Sequence, residues 1–238
     1  MYPILFSVGK VNFYSYGLMA ALAFFAMSGI VIYLSKKENL YSTNLFDKLI
    51  LLFLAALAGA RISFFVVYHE QFSRWTDIFM FWQGGMISYG GIVGVIVLAM
   101  FMFRKNILAW LDILSVGFLA GLFFWRMGCF LAGDHPQIVS NAFYAIQGEF
   151  PAILLESLLG LLGFVLFYII YTKFTQKIGM IFFEVLIYYG LARILVDHFR
   201  IDAMILGFRS GQIAGIALAI AGVIGIIVLR NRKQVNNR

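Results

Sequence analysis

Apolar residues fill this chain in long blocks, separated by short polar or basic breaks. Seven of the blocks approach the roughly 20 residues that a helix needs to cross the hydrocarbon core of a bilayer. They cover about 13–34, 45–68, 86–103, 107–131, 151–172, 179–199 and 211–229. Pro151 opens the fifth block, where a missing N–H costs nothing in the first turn of a helix. Residues 72–83 carry Trp75 and Trp82 on a weak apolar face and read as a stretch lying in the interface. The pattern predicts an all-α fold: a polytopic membrane protein of about seven transmembrane helices, one integral membrane domain over 1–238.

Composition supports the same class. Only 12% of residues are charged and 63% are hydrophobic, against roughly 25% charged in a soluble domain. That leaves too little polar surface to cover a water-exposed fold. The basic residues alternate between loops. One set holds Lys36, Lys37, Lys48, Arg104, Lys105, Lys173, Lys177, Arg230, Arg232, Lys233 and Arg238. The other holds Lys10, Arg74, Arg200 and Arg209. Cytoplasmic loops collect Lys and Arg, so the N-terminus is expected outside and the C-terminus in the cytoplasm. The net charge of +7 then reflects a basic rim facing anionic lipid headgroups and calls for no nucleic acid. The first twelve residues lack the pattern of a cleaved signal peptide. A single cysteine, Cys129, excludes an internal disulfide, and the three scattered histidines (His69, His135, His198) suggest no metal site. No cofactor is expected.

The ionisable residues inside the blocks carry the chemistry. Arg61, Arg126 and Arg193 each stand five to seven residues short of the expected outer end of an inside-to-outside helix, about 8–11 Å at the helical rise. A charge at that depth costs at least a few kcal/mol, so each needs a partner or an anionic ligand. Asp197 follows Arg193 by four residues on one helix face. Glu156, Asp134, Tyr16 and Tyr89 fall at similar height, whereas the inner halves hold little beyond Glu184. Asp47, Lys48 and Asp112 sit near inner helix starts, where capping and the macrodipole explain them. Each outer residue has a bland reading too: an intrahelical pair for Arg193 and Asp197, snorkelling for Arg61, a structural pair for Glu156. Jointly they form a cationic pocket open to the outer leaflet. Guanidinium groups bind phosphate oxygens bidentately and keep their charge when buried. They would stabilise negative charge developing on a phosphate leaving group.

The motifs around these residues resemble those of prolipoprotein diacylglyceryl transferases. Gly84-Gly85-Met86-Ile87-Ser88-Tyr89-Gly90-Gly91-Ile92-Val93-Gly94 is similar to that family's glycine-rich motif. Arg126-Met127-Gly128-Cys129-Phe130-Leu131-Ala132-Gly133 looks like its signature, in a cysteine-bearing form. Tyr189-Gly190-Leu191-Ala192-Arg193, with Asp197-His198-Phe199-Arg200, resembles its late motif, and Tyr16-Gly17, Gly59-Ala60-Arg61 and Gly211-Gln212 match shorter elements. The resemblance implies transfer of diacylglyceryl from phosphatidylglycerol to the lipobox cysteine thiol of a preprolipoprotein signal peptide, in a bacterial plasma (inner) membrane. It implies that Arg126 and Arg193 hold the phosphate and steady the leaving group. Tyr16, Asp134, Glu156, Tyr189 and Asp197 would shape the site, with Arg61 and Gly133 in matching elements. Three departures stand out. Tyr89 replaces a common His, Asp134 a common Glu, and Phe150-Pro151-Ala152-Ile153-Leu154-Leu155-Glu156 a His-Pro-x-Gln-x-Tyr-Glu element. A non-catalytic lipid-binding relative and a small transporter are the alternative readings; the latter would want polar residues continuing to the inner side.

Overall fold

A computed structural model describes residues 2–8, 11–72, 74–79, 88–133, 145–146, 151–200, 204–205 and 207–231. Among them are seven α-helices: α1 (Ser15–Lys37), α2 (Leu45–Val67), α3 (Ser88–Met102), α4 (Ile107–Ala132), α5 (Ala152–Lys173), α6 (Met180–Asp197) and α7 (Ser210–Asn231). Five of these, α1, α2, α4, α5 and α7, are long and apolar enough to cross a membrane. The shorter α3 has 15 residues. The 18 residues of α6 include Glu184, Arg193 and Asp197, which dilute its apolar character. The chain is thus an all-α membrane protein. Two small hairpins, β1 (Ile4–Val8) with β2 (Val11–Tyr14) and β3 (Met204–Ile205) with β4 (Phe208–Arg209), leave no trace in the apolar blocks. The expected interfacial stretch contains a short 3-10 helix at Trp75–Phe79 with Trp75 and Phe79 exposed, and 80–83 lie outside the described residues.

The chain divides into two compact units, Met1–Leu34 with Leu111–Arg238, and Ser35–Trp110. In the second, α2 and α3 meet backbone to backbone. A Cβ on Gly90 would collide with Ser63 and the Gly59 carbonyl, and one on Gly94 would press on Ala55. Helices in lipid gain nothing from hiding apolar surface from water, so they associate where small residues let backbones approach.

The first unit uses the same device three times. Gly117, Gly121 and Gly128 of α4 receive Val31, Met27, Ala23 and Met19 of α1. Gly163 of α5 lies under the Tyr188 ring, whose hydroxyl donates to the Leu159 carbonyl at 2.6 Å. Gly190 of α6 meets Gly215 and Ala219 of α7. Between α4 and α5, the Ser157 hydroxyl donates to the Phe123 carbonyl at 2.8 Å. Asp112 does act as a cap, but of another helix: its carboxylate accepts from the N–H groups of Gly179 (2.6 Å) and Phe182 (2.7 Å) at the start of α6. The N-terminal hairpin is tied to the end of α4 by the Tyr2 N–H donating to the Leu131 carbonyl at 3.0 Å.

Gly90→Ala is expected to cost on the order of 1–3 kcal/mol through overpacking and to lower the melting temperature in detergent. Gly29→Ala, where a methyl meets nothing within 4 Å, should leave it unchanged. Equal melting of the two variants would contradict the backbone contact.

Candidate anion site of the first unit

The sequence of α6 places Tyr189, Arg193 and Asp197 at successive i, i+4 positions, which keeps them on one side of the helix. Arg126 comes from the C-terminal third of α4 and Glu156 from the second turn of α5. The structure brings all five together. One carboxylate oxygen of Glu156, Oε1, lies 3.0 Å from Arg126 Nε and 3.0 Å from Arg193 Nη1. Arg193 Nη2 lies 3.0 Å from Asp197 Oδ1 and donates to Oδ2 at 3.1 Å, so the intrahelical pair read from the spacing is real. Arg200, which follows Asp197 by three residues, reaches its Oδ1 at 3.8 Å. The Tyr189 phenol lies close to the Arg126 guanidinium.

Burial raises the stakes of every contact. The side chains of Glu156 and Asp197 are 1% and 0% exposed, those of Arg193 and Arg126 about a tenth. Arg126 Nε is near Glu156 but not aligned as a hydrogen bond, so that contact is an ion pair only. Glu156 Oε2 has no hydrogen-bond partner among the described residues. Among the described residues, the guanidiniums of Arg126, Arg193 and Arg200 thus face the carboxylates of Glu156 and Asp197 in a nearly enclosed network. Such a network offers donors and positive charge, which suits an anion and repels a metal cation.

Two further residues hold the cluster: Arg209, expected only as a loop charge, and Gly211, expected only as part of a short matching element. The Arg209 guanidinium donates to the carbonyls of Asp197 and His198, satisfying the C-terminal carbonyls of α6. Its own N–H donates to Gln212 Oε1 at 3.1 Å, at the start of α7. Gly211 packs directly against the pair: a Cβ there would enter the space of Asp197 Oδ2 and Arg193 Nη2.

The remaining expected site residues have other surroundings. Tyr16 opens α1 beside Gly128, its ring edge-on to Trp125 at 5.4 Å between centroids. Gly133 ends α4 with φ +76°, its N–H donating to the Cys129 carbonyl at 3.0 Å, a conformation that glycine adopts without a Cβ penalty. Arg61 belongs to the other unit and is 2% exposed. Its Nε and Nη2 donate to the carbonyls of Ile78 (3.0 Å) and Asp77 (2.8 Å), and its guanidinium lies against the rings of Phe64 and Phe72. Its partners are therefore carbonyls and ring faces of its own chain, which no spacing rule for charges would find. Tyr89 is the second residue of α3, with its side chain outside the described residues, as is all of Asp134.

Gly211→Ala should leave insertion intact and displace the Arg193–Asp197 pair. The expected result is a destabilisation on the order of 3–5 kcal/mol, the scale of breaking a buried ion pair, read as a lower melting temperature in detergent. Wild-type melting in this variant would separate Gly211 from the pair.

Comparison with known proteins covers nearly the whole chain. The sequence profile described as "Prolipoprotein diacylglyceryl transferase" matches residues 3–228. The phosphatidylglycerol-prolipoprotein diacylglyceryl transferase of Streptococcus uberis is 28% identical over 260 residues, covering 98% of this chain and 97% of that protein. The protein of the same name from Streptococcus pyogenes serotype M5 is 30% identical over 258 residues, with 98% and 97% covered. That from Streptococcus agalactiae serotype Ia is 29% identical over 230 residues, with 87% and 89% covered. With the profile spanning nearly the full length, the chain belongs to the prolipoprotein diacylglyceryl transferase family.

Proposed function

We propose that this protein transfers the diacylglyceryl group of phosphatidylglycerol to the lipobox cysteine thiol of a preprolipoprotein signal peptide. The observation that carries the reading is the buried network in which a single oxygen of Glu156 holds Arg126 and Arg193 side by side. A phosphodiester carries one negative charge and oxygen acceptors that paired guanidiniums can bind. In the reaction the sulfur attacks the glyceryl carbon next to the phosphate ester oxygen. A C–S bond forms, the C–O bond breaks, and glycerol phosphate leaves with the electron pair while the thiol proton passes to a base. Negative charge grows on the departing phosphate, where Arg126 and Arg193 are assigned to receive it in a site largely closed to water.

Glu156 and Asp197 hold the two guanidiniums side by side and aimed, and Tyr189 orients Arg126. Tyr16, Gly133, Asp134 and Arg61 retain a supporting role in substrate binding. Tyr89 keeps its catalytic assignment, as candidate proton acceptor, on its place in the glycine-rich motif. All seven helices, α3 and α6 included, are taken to span a bacterial plasma membrane as one integral domain. The basic loops face the cytoplasm, which puts the N-terminus outside.

The test is an assay with phosphatidylglycerol and a lipobox peptide, reading the mass of the cysteine. A diacylglyceryl mass gain is expected. Arg126→Ala and Arg193→Ala should each lower turnover by on the order of 10²–10³-fold, as loss of a transition-state donor does. Full activity in either variant would remove it from the leaving-group role.

A further inference from the structure

The strongest polar contact between α4 and α6 lies at the opposite end of both helices from the arginines. Asp112, 6% exposed, accepts from Gly179 and Phe182 at 2.6 and 2.7 Å, distances typical of charge-assisted hydrogen bonds. A helix usually caps its own N-terminus with a Ser, Thr, Asp or Asn at the N-cap. Here the N-cap of α6 is Gly179, in a left-handed conformation and with no side chain to offer. The carboxylate arrives instead from 67 residues away in sequence. A local cap would stabilise α6 equally well. Only a remote one also fixes α6 against α4.

The numbering makes that choice informative. Arg126 follows Asp112 by 14 residues, and Arg193 follows Gly179 by 14. Each arm is about 21 Å long at the helical rise, and 14 residues bring the chain to within about 40° of a whole number of turns. The contact at Asp112 and the arginines at Glu156 Oε1 therefore form two rungs between α4 and α6, with equal lengths of helix between them. A slip of one residue would shift Arg193 by about 1.5 Å and turn it by about 100°, and it would leave Glu156.

We infer that Asp112 is a positioning residue for the anion site, setting the register that brings Arg126 and Arg193 to one height. The inference rests on the transferase reading for its assay but on geometry for its claim. With Asp112 6% exposed and Gly179 buried, little water can replace a lost hydrogen bond, so the rung is either made or missing. Asp112→Asn keeps the shape but offers one neutral acceptor and adds an N–H donor against two N–H groups.

The experiment uses the full-length protein in phosphatidylglycerol-containing micelles with a lipobox peptide. Wild type, Asp112→Asn and Asp112→Glu are compared for KM toward each substrate and for the rise in melting temperature that phosphatidylglycerol induces. Asp112→Asn should raise the KM for phosphatidylglycerol by on the order of 10- to 100-fold, the scale of a small misplacement, and abolish the melting shift. The KM for peptide should stay unchanged, and Asp112→Glu, which keeps both acceptors on a longer arm, should fall between. Activity that drops only with the amount of folded protein, at wild-type KM and melting shift, would reduce Asp112 to a plain cap and overturn the inference. If Asp112→Asn does not accumulate, Asp112→Glu decides: a raised KM for phosphatidylglycerol supports the inference, and a wild-type KM overturns it. Absence of turnover in the wild type would count against the transferase reading alone, because the melting shift still reports on the register.

Discussion

A carboxylate oxygen that faces two guanidiniums at 3.0 Å holds two positive charges closer together than either would tolerate alone. Glu156 is the condition for the rest of the site. Remove its charge and Arg126 and Arg193 repel each other inside a nearly closed volume. Leave it in place and both guanidiniums stay beside one oxygen, where an anionic substrate would meet them together. Buried ion pairs are weak evidence for stability, since desolvation offsets much of the attraction. Here the network makes better sense as a device for function, because packed apolar residues would have held α4, α5 and α6 together more cheaply.

Holding charged groups at such distances requires backbones that can come close, and glycine supplies this along every seam of the first unit. Gly128 admits Tyr16 and Met19, Gly163 admits the Tyr188 ring, and Gly190 and Gly215 let α6 and α7 touch. Gly211 belongs to the same series but differs in what it faces, since its missing Cβ makes room for Asp197 and Arg193 themselves. Packing and chemistry are thus continuous: the glycines that position α7 also shape the floor of the anion site.

The helices were legible because a span is a local property. The expected block over 45–68 became Leu45–Val67 and that over 107–131 became Ile107–Ala132. The pair of Arg193 with Asp197 was legible for the same reason, being an i, i+4 contact. What the sequence hid is what depends on two distant segments meeting. The contact of Arg126 with Glu156 joins α4 to α5, and neither residue has an oppositely charged neighbour one turn away to betray it. Asp112 looks like an ordinary cap for its own helix until α6 is seen beside it. The hairpins were invisible because four or five residues of apolar strand resemble the edge of an apolar span.

The departure at 150–155 gains a physical sense from the same network. Where the family element carries a Gln, this chain has Ile153, 1% exposed, and Ala152 beside it is fully buried. A buried amide would need its own partners in a medium without water; a buried Ile needs only to fit. With the polar support thinned, Glu156 is oriented mainly by the arginines that it serves, and by Ser157, whose hydroxyl pins α5 to the Phe123 carbonyl of α4. The site then relies less on a shell of polar side chains than on the relative placement of three helices. That shifts the burden of precision from residues near the phosphate to contacts far from it, and makes a carboxylate about 21 Å away, on the helical rise, a sensible place to control the geometry.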